Sequence, residues 1–203
     1  MGPSKDPLPA SSTPQMMLLL PVNSNPLIPN QDIVGILSLP QQSWYISSQE
    51  LPYNLPGLQY DASRIKEGKT ILLVPNSSLT EIVPPKNPAF FNPNAKWNRD
   101  ISMLVYKIQA SSKYNRTFAD SLCGVGARGL RASVEVPKID TIYFNDLNPI
   151  AIELAKESAK LNQVGSKCLF GSNDVCKFLN FEERESRKFD IVDLDPFGSP
   201  SPY

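Results

Sequence analysis

The chain has 203 residues, of which 41% are hydrophobic, so it can hold one ordinary domain with a real core and an additional segment. Its 20 basic and 20 acidic residues give a formal net charge of zero, so any nucleic-acid-binding surface must be a local patch. Histidine is absent, which excludes histidine as a general base, as an activator of a nucleophile and as a metal ligand.

The cysteine pattern and the early apolar run indicate where in the cell the protein is located. Cys123, Cys168 and Cys176 are odd in number and show no Cys-x-x-Cys spacing, so we expect neither a zinc site nor a disulfide framework. The apolar run 16–20 ends at Pro21 and is too short for a membrane span or a signal-peptide core. We therefore expect no metal, no membrane attachment and an intracellular, cytoplasmic protein, with the nucleus and the mitochondrion left open.

The first sixty residues have the composition of an extended, weakly ordered tail. Half of the 20 prolines lie before residue 57, while charge is carried only by Lys5, Asp6, Asp32 and Glu50. Two apolar segments, 33–37 and 43–46, are strand candidates that could dock on the rest of the chain or on a partner. We predict a Pro-rich extension over residues 1–60 and a folded domain over residues 61–203.

Within the folded domain, the first predicted elements are a strand and a helix. Residues 70–74, which end at Pro75, have the composition of a short strand, and a loop rich in proline and asparagine follows over 84–93. Asn98 is a candidate N-cap for the helix. Its apolar positions recur at helical spacing, at Ile101, Leu104, Val105 and Ile108.

The second half of the chain alternates between strands and helices. Strands are predicted at residues 117–122, 141–146, 168–170 and 189–194. Helices follow the glycine turn 123–129, begin at Asn148 and Pro149 as cap and first helical residue, and run over 175–181. This alternation predicts an α/β fold with a doubly wound parallel sheet.

The glycine turn predicts a nucleoside cofactor. Residues 124–129 match G-x-G-x-x-G between a strand and a helix, which makes Gly124 and Gly126 candidate cofactor contacts. NAD-dependent dehydrogenases and S-adenosylmethionine methyltransferases both use such a turn, and both place an acid such as Asp146 after the second strand for the ribose hydroxyls. Asp120 favours a methyltransferase, because it can meet a cationic amino-acid group and would repel a pyrophosphate. The alternatives are that Asp120 binds nearby backbone amides and that Asp146 only opens a helix.

Two later acids also follow strands. Asp174, after Asn173, lies where an adenine amine would be, although it could instead cap the next helix. Asp195 ends the terminal strand in Asp-Pro-Phe-Gly, where a carboxylate can accept hydrogen bonds from an exocyclic amine and Phe197 can stack on the base. The alternative is a turn with a buried phenylalanine. A dehydrogenase has no role for this motif.

These motifs together resemble one family. Over residues 65–200 the chain is similar to the tRNA (guanine-26-N2) dimethyltransferases, class I methyltransferases that use S-adenosyl-L-methionine. The resemblance rests on residues 67–69, 90–93, 98–100, 120–129, 145–146, 173–174 and 193–200.

The resemblance implies a Rossmann-like fold, truncated here after the fourth strand, and roles for particular residues. The implied cofactor contacts come from Arg99, Arg128, Asp146, Asp174 and the backbone of Val175. Asp195 is implied as the acceptor for the guanine amine, with Phe197 and Phe90 holding the base. In the usual strand order of such sheets, 3-2-1-4, the strand 189–194 lies at an edge, so the chain alone is expected to be poorly soluble or self-associating.

The predicted function is therefore methylation, once or twice, of the N2 amine of guanine 26 in tRNA. tRNA is the expected partner, and a missing C-terminal region is expected to contribute to its binding. Three alternatives stay open: another amino-methyltransferase acting on DNA, rRNA or protein glutamine, a non-catalytic cofactor-binding fragment, and a NAD-binding dehydrogenase domain. Binding of S-adenosylhomocysteine without binding of NAD would separate the methyltransferase from the dehydrogenase.

Overall fold

The computed structural model of the protein describes residues 61–111, 116–180 and 188–196. The predicted extension over 1–60, with its two strand candidates, and the base-stacking residue Phe197 lie outside the described residues. In the described part, no helix has the length and apolar character that crossing a membrane requires, and no three cysteine or acidic side chains group as a metal site.

A four-stranded parallel sheet in the order β5-β4-β3-β6 forms the centre of the fold. Its strands are β3 (Arg116–Asp120), β4 (Ile139–Asn145), β5 (Cys168–Gly171) and β6 (Ile191–Asp193). This order is the predicted 3-2-1-4 arrangement, and it leaves β6 at one edge of the described sheet. The carboxyl ends of all four strands meet at one side of the sheet, where ligands of open α/β folds bind.

Helices connect these strands, as the alternating pattern predicts. They are α2 (Lys96–Gln109), α3 (Ala127–Glu135), α4 (Pro149–Leu161) and α5 (Val175–Leu179), with the short α1 (Ser77–Thr80) and two 3-10 turns, Pro93–Ala95 and Gly165–Lys167. The predicted start of α4 is confirmed. Asn148 caps it by accepting a hydrogen bond from the backbone N–H of Ile150 at 3.0 Å, and Pro149 is the first helical residue.

A separate antiparallel hairpin precedes the sheet, and the sequence analysis predicted only its second strand. β1 (Ala62–Glu67) pairs with β2 (Thr70–Pro75) across a turn at Gly68, whose φ is +60°. β2 packs on α4, where the Ser158 hydroxyl accepts a hydrogen bond from the N–H of Leu73 at 2.9 Å. β1 is buried only at its two ends, so it lacks the apolar run that marks a strand in the sequence.

The predicted helix at α2 exists, but its cap and its buried face differ from the sequence pattern. The helix begins at Lys96 after a 3-10 turn, so Asn98 lies inside it and is not the N-cap. The apolar positions at helical spacing are mostly exposed, and the buried face holds Arg99, Ser102, Met103 and Tyr106. Tyr106 packs edge-on against Phe118 of β3, with ring centroids 4.8 Å apart. Arg99 and Ser102 can face the core here because Glu67 and Arg128, from other elements, supply their partners.

Gly129 allows the close approach of α3 to the sheet. A Cβ at this position would lie 2.5 Å from Cε1 of Phe144, which is fully buried and stacked on Phe170. We expect Gly129→Ala to lower the free energy of unfolding by ~1–3 kcal/mol, as overpacking does, in urea denaturation. Gly165→Ala is the matched control, because a Cβ there meets nothing within 4 Å. Equal stability of the two variants would contradict the packing described.

Candidate functional site

The glycine turn after β3 is held by Asp146 at the carboxyl end of β4. Gly124 and Gly126 have φ of +53° and +78°, which favours glycine at both positions. One carboxylate oxygen of Asp146 accepts a hydrogen bond from the N–H of Gly124 at 2.7 Å, and the other accepts one from the N–H of Asn148 at 2.9 Å. Asp146 thus fixes Asn148, the N-cap of α4, and also stabilises the glycine turn. Its carboxylate is half-buried and has lone pairs left for further donors.

Asn145, to which the sequence analysis gave no separate role, joins three loops at this edge. Its fully buried amide donates to the carbonyl of Ser121 at 3.1 Å and to the carbonyl of Asn173 at 3.0 Å. Its amide oxygen accepts from the N–H of Asn173 at 3.0 Å. The loops after β3, β4 and β5 are therefore fixed relative to one another. An amide residue that directly follows the apolar run 142–144 is the sequence signal that could have indicated this role.

Asp174 and Asp120 make the local contacts that the alternative interpretations describe. Asp174 caps α5, accepting from the backbone N–H of Cys176 at 2.9 Å. Asp120, which is 2% exposed, accepts from the backbone N–H of Gly129 at 2.8 Å. Burial, and next the charge of Asp193, raise the pKa of Asp120 well above its usual range. Contacts of Asp174, of the buried Val175 backbone and of Asp120 with a cofactor stay predictions.

Arg128 of α3 holds Asp195 in place at the carboxyl end of β6. Its Nη2 donates to Oδ2 of Asp195 at 2.8 Å and to Oδ1 of Asn98 at 2.5 Å. Its Nη1 donates to the hydroxyl of Ser102 at 2.5 Å, and its Nε lies 3.4 Å from Oδ2 of Asp193. Burial alone would lower the pKa of Arg128, but Asp193 and Asp195 outweigh it and raise that pKa. The buried guanidinium is therefore charged and orients Asp195, whose side chain is 31% exposed.

Arg99 lies in a second buried network that joins the hairpin to α2 and α3. Its Nε and Nη2 each donate to one carboxylate oxygen of Glu67 at 2.7 Å, and its Nη1 donates to the carbonyl of Asn92 at 3.0 Å. Arg131 also binds Glu67, at 3.0 Å, and Asp100, at 2.6 Å. The motifs 67–69 and 98–100 thus meet in one ion network. A contact of Arg99 with a cofactor stays a prediction.

The loop before α2 brings Phe90 to the glycine turn. Asn148 donates from its side-chain amide to the carbonyl of Pro88 at 2.7 Å, which anchors this loop at the start of α4. A Cβ on Gly124 would lie 3.1 Å from the carbonyl oxygen of Phe90, so the two backbones are in close contact. Phe90 is half-buried there. The structure therefore places Phe90 at the same edge of the sheet as Asp146.

The charge at this edge favours a cationic ligand. Asp120, Asp193 and Asp195 surround a single guanidinium, that of Arg128. Burial is the largest cause that raises the pKa of Asp193, Arg128 opposes it, and the charge of Asp195 adds to it, so the three carboxylates share one cation. A ligand that carries positive charge would supply the balance, whereas a pyrophosphate would add further negative charge.

Comparison with known proteins identifies the family. Residues 68–203 match the family model described as N2,N2-dimethylguanosine tRNA methyltransferase. The chain belongs to this family. Relatives described as tRNA (guanine(26)-N(2))-dimethyltransferase include one from Methanopyrus kandleri, 36% identical over 140 residues, and one from Methanococcus aeolicus, 41% identical over 149 residues. Each alignment covers 68% of this chain. The alignments cover 34% and 37% of these dimethyltransferases, so the chain spans about a third of their length.

A solved structure supports the fold. The structure of Trm1 from Pyrococcus horikoshii with S-adenosyl-L-methionine is 26% identical in sequence, with a TM-score of 0.51. The match covers 68% of this chain and 36% of that protein. The predicted Rossmann-like fold of a class I methyltransferase is therefore confirmed for the described part of this dimethyltransferase-family chain.

Proposed function

We propose that this chain carries the cofactor-binding part and the amine-binding acid of an enzyme that methylates the N2 amine of guanine 26 in tRNA, once or twice. The observation that carries the proposal is the position of Asp195. Arg128 fixes its carboxylate at the sheet edge that also holds the glycine turn and Asp146. Membership in the dimethyltransferase family supports the choice of substrate.

The residues at this edge fit S-adenosylmethionine. This cofactor supplies a methyl group on a positively charged sulfur, and its ammonium group adds a second positive charge. The excess of buried carboxylates at Asp120 and Asp193 suits these charges. Asp146 would accept hydrogen bonds from the ribose hydroxyls. It lies beside the backbone of Gly124, which donates a hydrogen bond to its carboxylate. Arg99, Arg128, Asp174 and Val175 remain proposed contacts.

Asp195 would perform two tasks for the guanine. The lone pair of the N2 amine is delocalised into the ring, so the amine reacts well only when it is oriented and its developing positive charge is compensated. A carboxylate that accepts hydrogen bonds from the amine N–H groups does both. In folded tRNA the base must leave its stack at a cost of a few kcal/mol, which stacking on Phe90 and Phe197 would offset.

The wider tRNA contacts require a source of positive charge. The chain has a formal net charge of zero, while binding of RNA phosphates draws on lysine and arginine. We propose that a C-terminal region, within the two thirds of the relatives' length that this chain does not match, contributes to tRNA binding.

Replacing Asp146 tests the cofactor site. We expect Asp146→Ala to weaken binding of S-adenosylmethionine by ~1–3 kcal/mol, because the ribose hydroxyls lose a charged acceptor. Isothermal titration calorimetry measures the change, and circular dichroism checks the fold. Asp140→Ala is the matched control, since Asp140 lies near the amino end of the same strand. Unchanged affinity in a folded Asp146→Ala variant would remove this residue from the site.

Substrate transcripts that differ in one amine test the reaction. A chain of the family's full length should transfer a labelled methyl group to tRNA with guanine at position 26. It should transfer none to the same tRNA with inosine there, because inosine lacks the N2 amine. Equal labelling of the two transcripts would exclude N2 as the acceptor. Labelling of DNA, rRNA or a glutamine peptide in place of tRNA would support the alternative amino-methyltransferase.

A further inference from the structure

One face of α2 is apolar and exposed. Trp97, Ile101, Leu104 and Ile108 are 69%, 52%, 60% and 71% exposed. We call these four residues the α2 stripe. The opposite face of the helix is buried, with Tyr106 against β3 and Arg99 in the ion network. Contiguous exposed apolar surface of this kind marks an interaction site more often than scattered single residues do.

The spacing of the α2 stripe fits another helix. The intervals between its residues are 4, 3 and 4, which is the a/d repeat of a coiled-coil seam over about two heptads. These intervals are the same when read backwards. An antiparallel copy of α2 related by a two-fold axis therefore places Trp97 opposite Ile108 of the second copy and Ile101 opposite Leu104 of the second copy.

The exposed area agrees with pairing of two copies. In the antiparallel register, Lys107 of the second copy lies about 3 Å along the helix axis from Asp100, but Lys96 and Arg131 already bind that carboxylate at 2.6 Å, so charge across the seam adds little. A formal net charge of zero gives no overall repulsion between copies. The exposed fractions correspond to roughly 500 Å² of apolar surface per copy. Two copies would bury roughly 1,000 Å², the lower limit of a specific interface.

We propose that two copies of this chain associate through the α2 stripe as an antiparallel helix pair. The modest area makes the dimer weak, with a dissociation constant on the order of 10–100 μM. The association depends on side chains of α2 and not on the β6 edge of the described sheet. It is independent of the proposed catalytic function, because none of the four stripe residues belongs to the candidate site.

Sedimentation equilibrium of the 203-residue chain tests the proposal over a concentration range of about 5 to 500 μM, which brackets the expected constant. The wild-type chain should shift from monomer to dimer within this range, and Leu104→Glu should remain a monomer. Ile82→Glu is the matched control, because Ile82 is 96% exposed and lies outside the α2 stripe. This control should dimerise as the wild-type chain does.

Tryptophan fluorescence gives a second readout. The chain has 2 tryptophans, so Trp44→Phe leaves Trp97 as the only emitter. Its emission should shift to the blue and resist acrylamide quenching as the concentration rises. A monomer throughout the range, or association that survives Leu104→Glu, would overturn the proposal, and the latter result would point to the β6 edge. Protection of Trp97 from acrylamide at every concentration would also overturn the proposal, because another part of the same chain would then cover the α2 stripe.

Discussion

Asp195→Ala is expected to lower methyl transfer to tRNA by at least ~100-fold in a chain of the family's full length, while cofactor affinity stays nearly intact. The reason is the position of the carboxylate. It lies at the carboxyl end of β6 with a side chain 31% exposed, and Arg128 fixes one of its oxygens at 2.8 Å. An acid held in this way can orient an amine and compensate its developing charge without reorganising.

Mass analysis of nucleosides from the treated tRNA measures this effect, and calorimetry measures cofactor affinity separately. Asp190→Ala is the matched control, because Asp190 precedes β6 and pairs with Arg116 at the other end of the strand. The control should retain methyl transfer. Wild-type amounts of N2-methylguanosine from the Asp195→Ala variant would show that another group accepts the hydrogen bonds of the guanine amine.

Glu67→Ala is expected to lower the free energy of unfolding by ~3–5 kcal/mol, because it removes the shared partner of two buried guanidinium groups. Glu67, Arg99 and Arg131 are each only 3–4% exposed. The carboxylate receives two hydrogen bonds from Arg99 and one from Arg131. Without it, two charges remain buried with fewer partners, and the hairpin loses its link to α2 and α3.

Chemical denaturation of the 203-residue chain and its variants checks this expectation. Glu157→Ala is the control, since Glu157 pairs with Lys160 on the surface and its side chain is 30% exposed. Loss of such a surface pair should cost about 0–1 kcal/mol. A Glu67→Ala variant as stable as this control would show that the network does not hold the hairpin to the helices.

The parallel sheet could be predicted from the sequence because its signals are local. The apolar runs of β3 and β4 each end in a polar residue, and the glycine turn between β3 and α3 follows directly. Asn148 and Pro149 at the start of α4 act within the helix that they begin. In each case the residues that determine the element lie in or beside it, so no knowledge of distant partners was needed.

The hairpin and the buried face of α2 depended on partners far along the chain. β1 has only Ala62 and Ile65 as apolar residues, and its buried Glu67 is neutralised by arginines 32 and 64 residues away. The buried Arg99 and Ser102 of α2 likewise receive their partners from other elements. Helical spacing identified α2 as a helix, but its apolar positions lie on the exposed face.

In the candidate site, too, local features could be predicted from the sequence and contacts between distant residues could not. Strand ends and the glycine turn predicted the edge at which Asp146 and Asp195 lie. The sequence did not predict that Arg128 binds Asp195, because the two residues are 67 positions apart. Nor did it predict the role of Asn145, whose partners belong to two other loops.

Titration of the 203-residue chain with S-adenosylmethionine and with NAD tests the central claim most directly, because the proposed cofactor site lies within the described residues. The account predicts saturable binding of S-adenosylmethionine at one site per chain, weakened in Asp146→Ala, and no binding of NAD. Binding of NAD, or no binding of S-adenosylmethionine by a folded chain, would contradict it.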